Sequence, residues 1–210
     1  MGTARDSASA AEMFVRAGVH YVVPDFSPVQ EFDGHLEPMV DQLRKALIWI
    51  YDNAKTEFGA DPTRIYLSGF SSGGHLASVL LITDWALYSE ELPVDLIKGA
   101  VLCSGMYDLL PVSLSARREY VNFTPETIEA LSAIRHLDQI TCPVVIAYGT
   151  EETPEFKRQA IQYHEMLQRS GVDVALLVGE NYNHFEIIET LANPYGLLGR
   201  AALEQIQLDH

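Results

Sequence analysis

Positive charge is what this chain lacks most: 14 lysines and arginines stand against 29 aspartates and glutamates, for a formal net charge of −15. Nucleic acids and anionic membrane surfaces bind basic faces, so the balance argues against either as a partner. It leaves a solvated acidic surface and, at most, a mild preference for neutral or cationic small molecules. Cysteine is scarce too. Cys103 and Cys142 are the only two, and both sit inside or beside apolar stretches. They read as buried thiols rather than a disulfide, which makes the cytoplasm the default compartment. No apolar run approaches the ~18 residues of a membrane span, and "MGTARDSASAAEMF" lacks the basic-then-apolar pattern of a signal peptide. There is no H-E-x-x-H, C-x-x-C, G-x-G-x-x-G or Walker-type loop, so neither a metal nor a nucleotide cofactor is implied. No repeat, low-complexity tract or Pro/Gly/Ser linker divides the 210 residues, and the expectation is one domain spanning 1–210.

What is present has the composition of a globular protein, with 48% hydrophobic and 20% charged residues. Five short apolar runs, "VHYVVP" (19–24), "RIYLSG" (64–69), "KGAVLCSG" (98–105), "CPVVIAYG" (142–149) and "DVALLVG" (173–179), read as strands covered on both faces. Helix-like stretches alternate with them at about 3–17, 34–58, 72–87, 155–170 and 194–207. Thr153-Pro154-Glu155 and Asn193-Pro194 carry helix-start signals, a potential cap followed by proline. This alternation predicts an α/β fold with a mostly parallel sheet and helices on both faces. The stretch 106–136 is too long for a simple strand-to-helix connection. It reads as a helical excursion, either a lid or pocket wall lined by Tyr107, Tyr120 and Phe123 or an ordinary cover over the sheet.

The chemistry concentrates in "YLSGFSSGGHLAS" (66–78), where Gly69, Ser71 and Gly73 form G-x-S-x-G between a predicted strand and a predicted helix. A direct strand-to-helix reversal at Ser71 strains its backbone and pushes its side chain outward. Flanking side chains at 69 and 73 would collide, which predicts glycine at both. The helix that follows aims its amino terminus, with the free Ser72 N–H, at any negative charge forming beside Ser71. Such a turn is a nucleophile elbow, although a glycine-rich turn with an inert serine would carry the same letters.

A serine hydroxyl needs a base, and the base needs a carboxylate to hold its tautomer. In this type of fold they follow in the order serine, acid, histidine. His184, in the Asn- and Tyr-rich loop after the last predicted strand, is the candidate base. His75 sits on the elbow helix and reads as a packing residue, while His20, His35, His136, His164 and His210 have no comparable context. The loop "TEETPEF" offers the acid: Glu152 first, Glu151 as the alternative, with Glu155 falling inside the next helix. Tyr107, Tyr182 and Phe185 are candidate substrate contacts, and Trp85 is compatible with the same role; ordinary core packing accounts for these aromatics as easily, and Trp49, on the long helix, reads as a core residue.

With these residues in view, the chain resembles the α/β-hydrolases, and more narrowly the kynurenine formamidases (arylformamidases) and related carboxylesterases. The resemblance rests on "DPTRIYLSGFSSGGHLA" (61–77), "CSGMYDLLPV" (103–112), "GTEETPEFKRQ" (149–159) and "NHFEIIETLANPYG" (183–196), in the family's order. It implies Ser71 as nucleophile, His184 as base and Glu152 where the family more often has an aspartate. The implied reaction is acyl transfer on a small ester or amide, with no cofactor. The family also carries a His-Gly-Gly motif that supplies a second oxyanion donor, and this sequence has none. Loss of one such donor costs on the order of 10²–10³ in turnover. The preferred expectation is that the sequence is a piece of a longer protein lacking the early strands; the alternative is rearrangement or self-association into a homo-oligomer that covers the gap. Two rival readings remain open: a non-catalytic domain that keeps the fold for binding or assembly, and a peptidase or lactonase on the same three residues.

Overall fold

A computed structural model describes residues 4–206. Its centre is a parallel sheet of four strands in the order β1-β2-β3-β4: β1 (Ile65–Phe70), β2 (Ile97–Cys103), β3 (Val144–Gly149) and β4 (Val174–Gly179). Around it lie α1 (Ala11–Arg16), α2 (Glu37–Asn53), α3 (Ser72–Leu81), α4 (Leu109–Ser113), α5 (Pro125–Leu131), α6 (Pro154–Arg169), α7 (Glu186–Glu189) and α8 (Leu197–Ile206).

The alternation of side chains along a strand divides the core in two. On β2, Ala100 and Leu102 join a core built with α2, α3 and α6, while Val101 and Cys103 join a second one with α1, α7 and α8. A strand covered on both faces is apolar along its covered length, and this is why β2 reads as a hydrophobic run from Gly99 onward, with Lys98 near its start reaching Asp95. Helix faces follow from spacing in the same way. Met39, Val40, Leu43 and Leu47 are the buried stripe of α2, and Ala160, Tyr163 and Leu167 that of α6. Helix α3, between the sheet and α2, is buried from Gly74 through Leu81, with His75 and Ser78 the polar side chains enclosed in it.

Three expectations need correction. Residues 19–24 form no strand: a strand exists only through its ladder, and among the described residues nothing pairs with this segment. Val19 and Tyr21 pack against the second core instead, Tyr21 stacked on Phe14 with ring centroids 5.3 Å apart. Thr153 does occupy the cap position of α6, but its hydroxyl makes no capping bond. Pro194 does not open α8, which starts three residues later at Leu197. The outermost parts of two expected helices, residue 3 and residue 207, lie outside the described residues, as does His210.

The excursion at 106–136 is helical and rooted in the main core through Leu109, Val112, Val121, Leu131, Ala133 and Ile134. Gln159, buried on α6, pins its start: the side-chain oxygen accepts from the Tyr107 and Asp108 N–H groups at 2.7 and 2.9 Å. Thr124 caps α5, its hydroxyl accepting from the Thr127 N–H at 3.1 Å, with Pro125 at the first helical position.

Candidate active site

β1 runs directly into α3, and the reversal falls on Ser71, whose backbone sits at φ 54°, ψ −117°. L-residues adopt such angles only when the surroundings hold them there. Here the Ser71 N–H donates to the Cys103 carbonyl at 2.9 Å, and the Ser71 carbonyl accepts from His75 N–H at 3.1 Å. Gly69 is dictated by space: a β-carbon there would stand 2.3 Å from the Gly73 carbonyl oxygen. Gly73 is not, for nothing lies within 4 Å of where its β-carbon would be, so the expected collision holds at one flanking position only. Gly74 allows a different approach, its missing β-carbon leaving room for the Gly105 α-carbon at 2.9 Å.

The strand ends of β3 and β4 deliver the other two residues. Their loops are laced together: Thr150 N–H donates to Gly179 O at 2.9 Å, Asn181 N–H to Thr150 Oγ1 at 2.8 Å, and Glu151 N–H to Tyr182 O at 3.0 Å. Gly149 permits this, since a β-carbon there would meet Tyr182 O at 2.2 Å. Asn183 then orders the turn into α7, its side-chain oxygen accepting from the Phe185 and Glu186 N–H groups at 2.9 and 3.1 Å, which places His184 in the turn before that helix.

The outcome is one continuous line. His184 Nε2 lies 3.0 Å from Ser71 Oγ, and His184 Nδ1 lies 2.9 Å from Glu152 Oε2. An ionised carboxylate only accepts, so Nδ1 carries the proton and Nε2 is left to accept from the serine hydroxyl. Glu152 is buried while Glu151 is exposed, so the first-choice glutamate is the one in line. Burial pushes the Glu152 carboxyl up, but hydrogen bonds from His184, from the Ser104 hydroxyl and from the Gly149 N–H outweigh it, holding the carboxyl below its ordinary range. The imidazole is bracketed by rings: Phe156 stacks on it at 4.3 Å, Phe70 tilts against it at 4.7 Å and Phe185 meets it edge-on at 5.4 Å.

Ser72 is the first residue of α3, so its N–H has no intrahelical acceptor and lies at the positive end of the helix beside Ser71. Phe185 is exposed and Tyr182 moderately so, both in the loop that carries His184. Tyr107 is a correction: it is fully buried, stacked on Tyr163 at 4.2 Å, and belongs to the core rather than to a substrate surface. Trp85 is buried likewise, whereas Trp49, expected in the core, is half exposed and meets Phe58 edge-on, at 5.9 Å. His75 is buried, with Nε2 donating to the Leu131 carbonyl at 2.9 Å. Among the described residues no other histidine shares a hydrogen bond with Ser71 or Glu152, and no group of three or more His, Cys, Asp or Glu could hold a metal ion. The sequence reading missed Ser104, Gly149, Phe70 and Phe156. Of these only Phe70 and Phe156 carried a local signal, their adjacency to the elbow and to the acid loop.

The BD-FAE family model matches residues 3–95. The kynurenine formamidase of Danio rerio is 32% identical over 178 residues, covering 82% of this chain and 58% of that protein. That of Salmo salar is 34% identical over 166 residues, covering 76% and 54%. The chain thus spans little more than half the length of these two relatives. A hyperthermophilic esterase from the archaeon Pyrobaculum calidifontis superimposes with a TM-score of 0.75 at 20% identity, over 98% of this chain and 70% of that one. Parallel sheet, strand-to-helix elbow and structural likeness together define an α/β-hydrolase. Within that class the sequence similarity lies on the branch of arylformamidases and carboxylesterases. No helix among the described residues is long and apolar enough to cross a membrane.

Proposed function

We propose that the chain is a serine hydrolase of small esters or aryl-formamides, working by acyl transfer through Ser71, His184 and Glu152. The observation that carries this reading is the unbroken line from Ser71 Oγ through both imidazole nitrogens to Glu152 Oε2, at 3.0 and 2.9 Å, on a nucleophile held at positive φ. The kynurenine formamidase relatives and the esterase neighbour support the substrate class.

In the first step Ser71 Oγ forms a bond to the substrate carbonyl carbon while its proton passes to His184 Nε2. Glu152 stabilises the resulting imidazolium through Nδ1–H. The Ser72 N–H, with the positive end of α3 behind it, donates to the oxyanion. Collapse of the tetrahedral intermediate breaks the bond to the alcohol or amine, which takes the proton from Nε2 and leaves. Water then enters, gives a proton to Nε2 and attacks the acyl-serine. Collapse releases the carboxylic acid and returns the proton to Ser71. Tyr182 and Phe185 are the side chains we assign to substrate contact, the partner being a small neutral molecule rather than a nucleic acid or a membrane. The two cysteines are free and buried, which supports the cytoplasmic placement.

Labelling with a fluorophosphonate probe tests the reading. Covalent modification that maps to Ser71 and vanishes in Ser71→Ala and in His184→Ala is the expected result. A folded chain that leaves the probe unreacted would overturn it in favour of a non-catalytic domain, and a peptide- or lactone-only preference in a substrate panel would redirect it.

A further inference from the structure

Glu152 has two carboxylate oxygens, and only Oε2 faces His184. The other, Oε1, is held from behind. Ser104 Oγ lies 2.5 Å from it and the Gly149 N–H 2.9 Å. We propose that Ser104 is a positioning residue for Glu152: its hydroxyl locks Oε1 so that Oε2 is presented to the imidazole. The proposal rests on the hydrolase reading above and adds to it a residue that never meets substrate.

Two observations carry it. Ser104 is fully buried, its side chain has a charged acceptor, and a carboxylate can only accept, so the hydroxyl proton is committed to Glu152. The sulfur of Cys103, 3.4 Å away, is a far weaker partner. Ser104 also stands at φ 51°, directly after β2, with its N–H donating to the Ala147 carbonyl at 2.8 Å. A glycine would take that conformation without strain, yet a serine occupies it. That backbone turn aims the side chain across the strand ends at Glu152, in the turn after β3. The Glu152 side chain has no solvent exposure, so water cannot replace the lost donor if the hydroxyl is removed.

The titratable groups that face Glu152 are His184 from the loop after β4, the Cys103 thiol from β2 and the Tyr107 phenol beyond it. Burial pushes Cys103 up to about 12 and Tyr107 well above its ordinary value, so both stay neutral through the physiological range.

The test uses the full chain with Ser104→Ala, Ser104→Gly and Ser104→Cys. The Gly variant removes the hydroxyl while relieving the positive φ, so it folds even where Ala fails; Cys keeps a weaker donor. Two readouts are taken: the titration midpoint of the Glu152 side-chain carbon by ¹³C NMR, and the rate of fluorophosphonate labelling at pH 7. Ala and Gly are expected to raise the Glu152 midpoint by about one unit, because a donor to the charged form is gone, and to slow labelling roughly tenfold. Cys is expected to fall between. A midpoint that stays put in both Ala and Gly overturns the proposal. So does an unchanged labelling rate in variants of a chain that itself labels. Should the unsubstituted chain not label at all, the hydrolase reading falls, while the carboxyl titration still decides the role of Ser104.

Discussion

The carbonyl oxygen of Gly73 lies so close to Gly69 that a β-carbon at position 69 would stand 2.3 Å from it, whereas position 73 has nothing within 4 Å. The two glycines of one motif therefore answer to different causes. The obstacle at 69 is backbone in the first turn of α3, which cannot swing aside without unwinding the elbow. Gly69→Ala is expected to destabilise the fold by about 3 kcal/mol or more. Gly73→Ala is expected to be neutral, or to stabilise by up to about 1 kcal/mol, since alanine outranks glycine within a helix. Urea unfolding of the two variants measures the contrast, and equal losses would contradict it.

Adjacent glutamates offer a second contrast. Glu152→Gln removes the negative charge that balances the imidazolium and gives Nδ1 a partner that can face it with either end. Labelling of Ser71 is expected to slow about a thousandfold. Glu151→Gln, exposed and off the line, is expected to change the rate by less than about twofold. Side-by-side probe kinetics decide this, and the reverse order would move the acid to Glu151.

Phe156 is stacked on His184 at 4.3 Å with an interplanar angle of 28°. Removing that face in Phe156→Ala leaves the ring freer to rotate out of line. Contacts of this kind are worth about 0.5–1.5 kcal/mol, so labelling is expected to slow roughly two- to tenfold, with Phe156→Leu less affected. The comparison needs matched circular dichroism spectra, and an unaltered Ala rate would show that Phe70 and the Glu152 bond suffice.

His75 sets a pH dependence of stability. Burial is the main cause that lowers its pKa from 6.5 to about 4; the Leu131 carbonyl opposes this and Arg117 adds to it. Between those values the unfolded chain takes up a proton that the folded chain refuses, so stability falls as pH falls, by about 1.4 kcal/mol per unit. From pH 7 to pH 5 the loss attributable to His75 is expected to be about 2 kcal/mol. His75→Gln, which keeps a donor for the Leu131 carbonyl and does not titrate, is expected to flatten that part of the profile. The comparison of pH 7 with pH 5 stops above the ordinary glutamate value of 4.5, so the depressed Glu152 contributes little to it. Chemical unfolding at several pH values would sink the idea if both proteins showed the same slope.

The strands were legible where the apolar run found a partner in the sheet. β2, β3 and β4 lie within two residues of their apolar runs, because a strand covered on both faces needs mostly apolar side chains. Residues 19–24 show the limit. "VHYVVP" has the composition of a buried strand, but pairing is a property of two segments, and no composition supplies the second. Tyr107 shows another. An aromatic at the foot of an excursion suits a pocket or a core, and only the stacking on Tyr163 and the hold of Gln159 on its N–H put it in the core.

For the site itself, the sequence alone determined the elbow and the candidates at its two partner loops. Strand, glycine spacing and helix are local, and local sterics are written in neighbouring residues. Which glutamate turns inward, which rings close on His184, and that a serine from a different strand end stands behind the acid were decided by the tertiary structure. Those are contacts between residues 32, 48 and 113 positions apart in the chain. They exist because parallel strands bring their carboxyl ends to one edge of the sheet, where loops remote in sequence must share the same few ångströms.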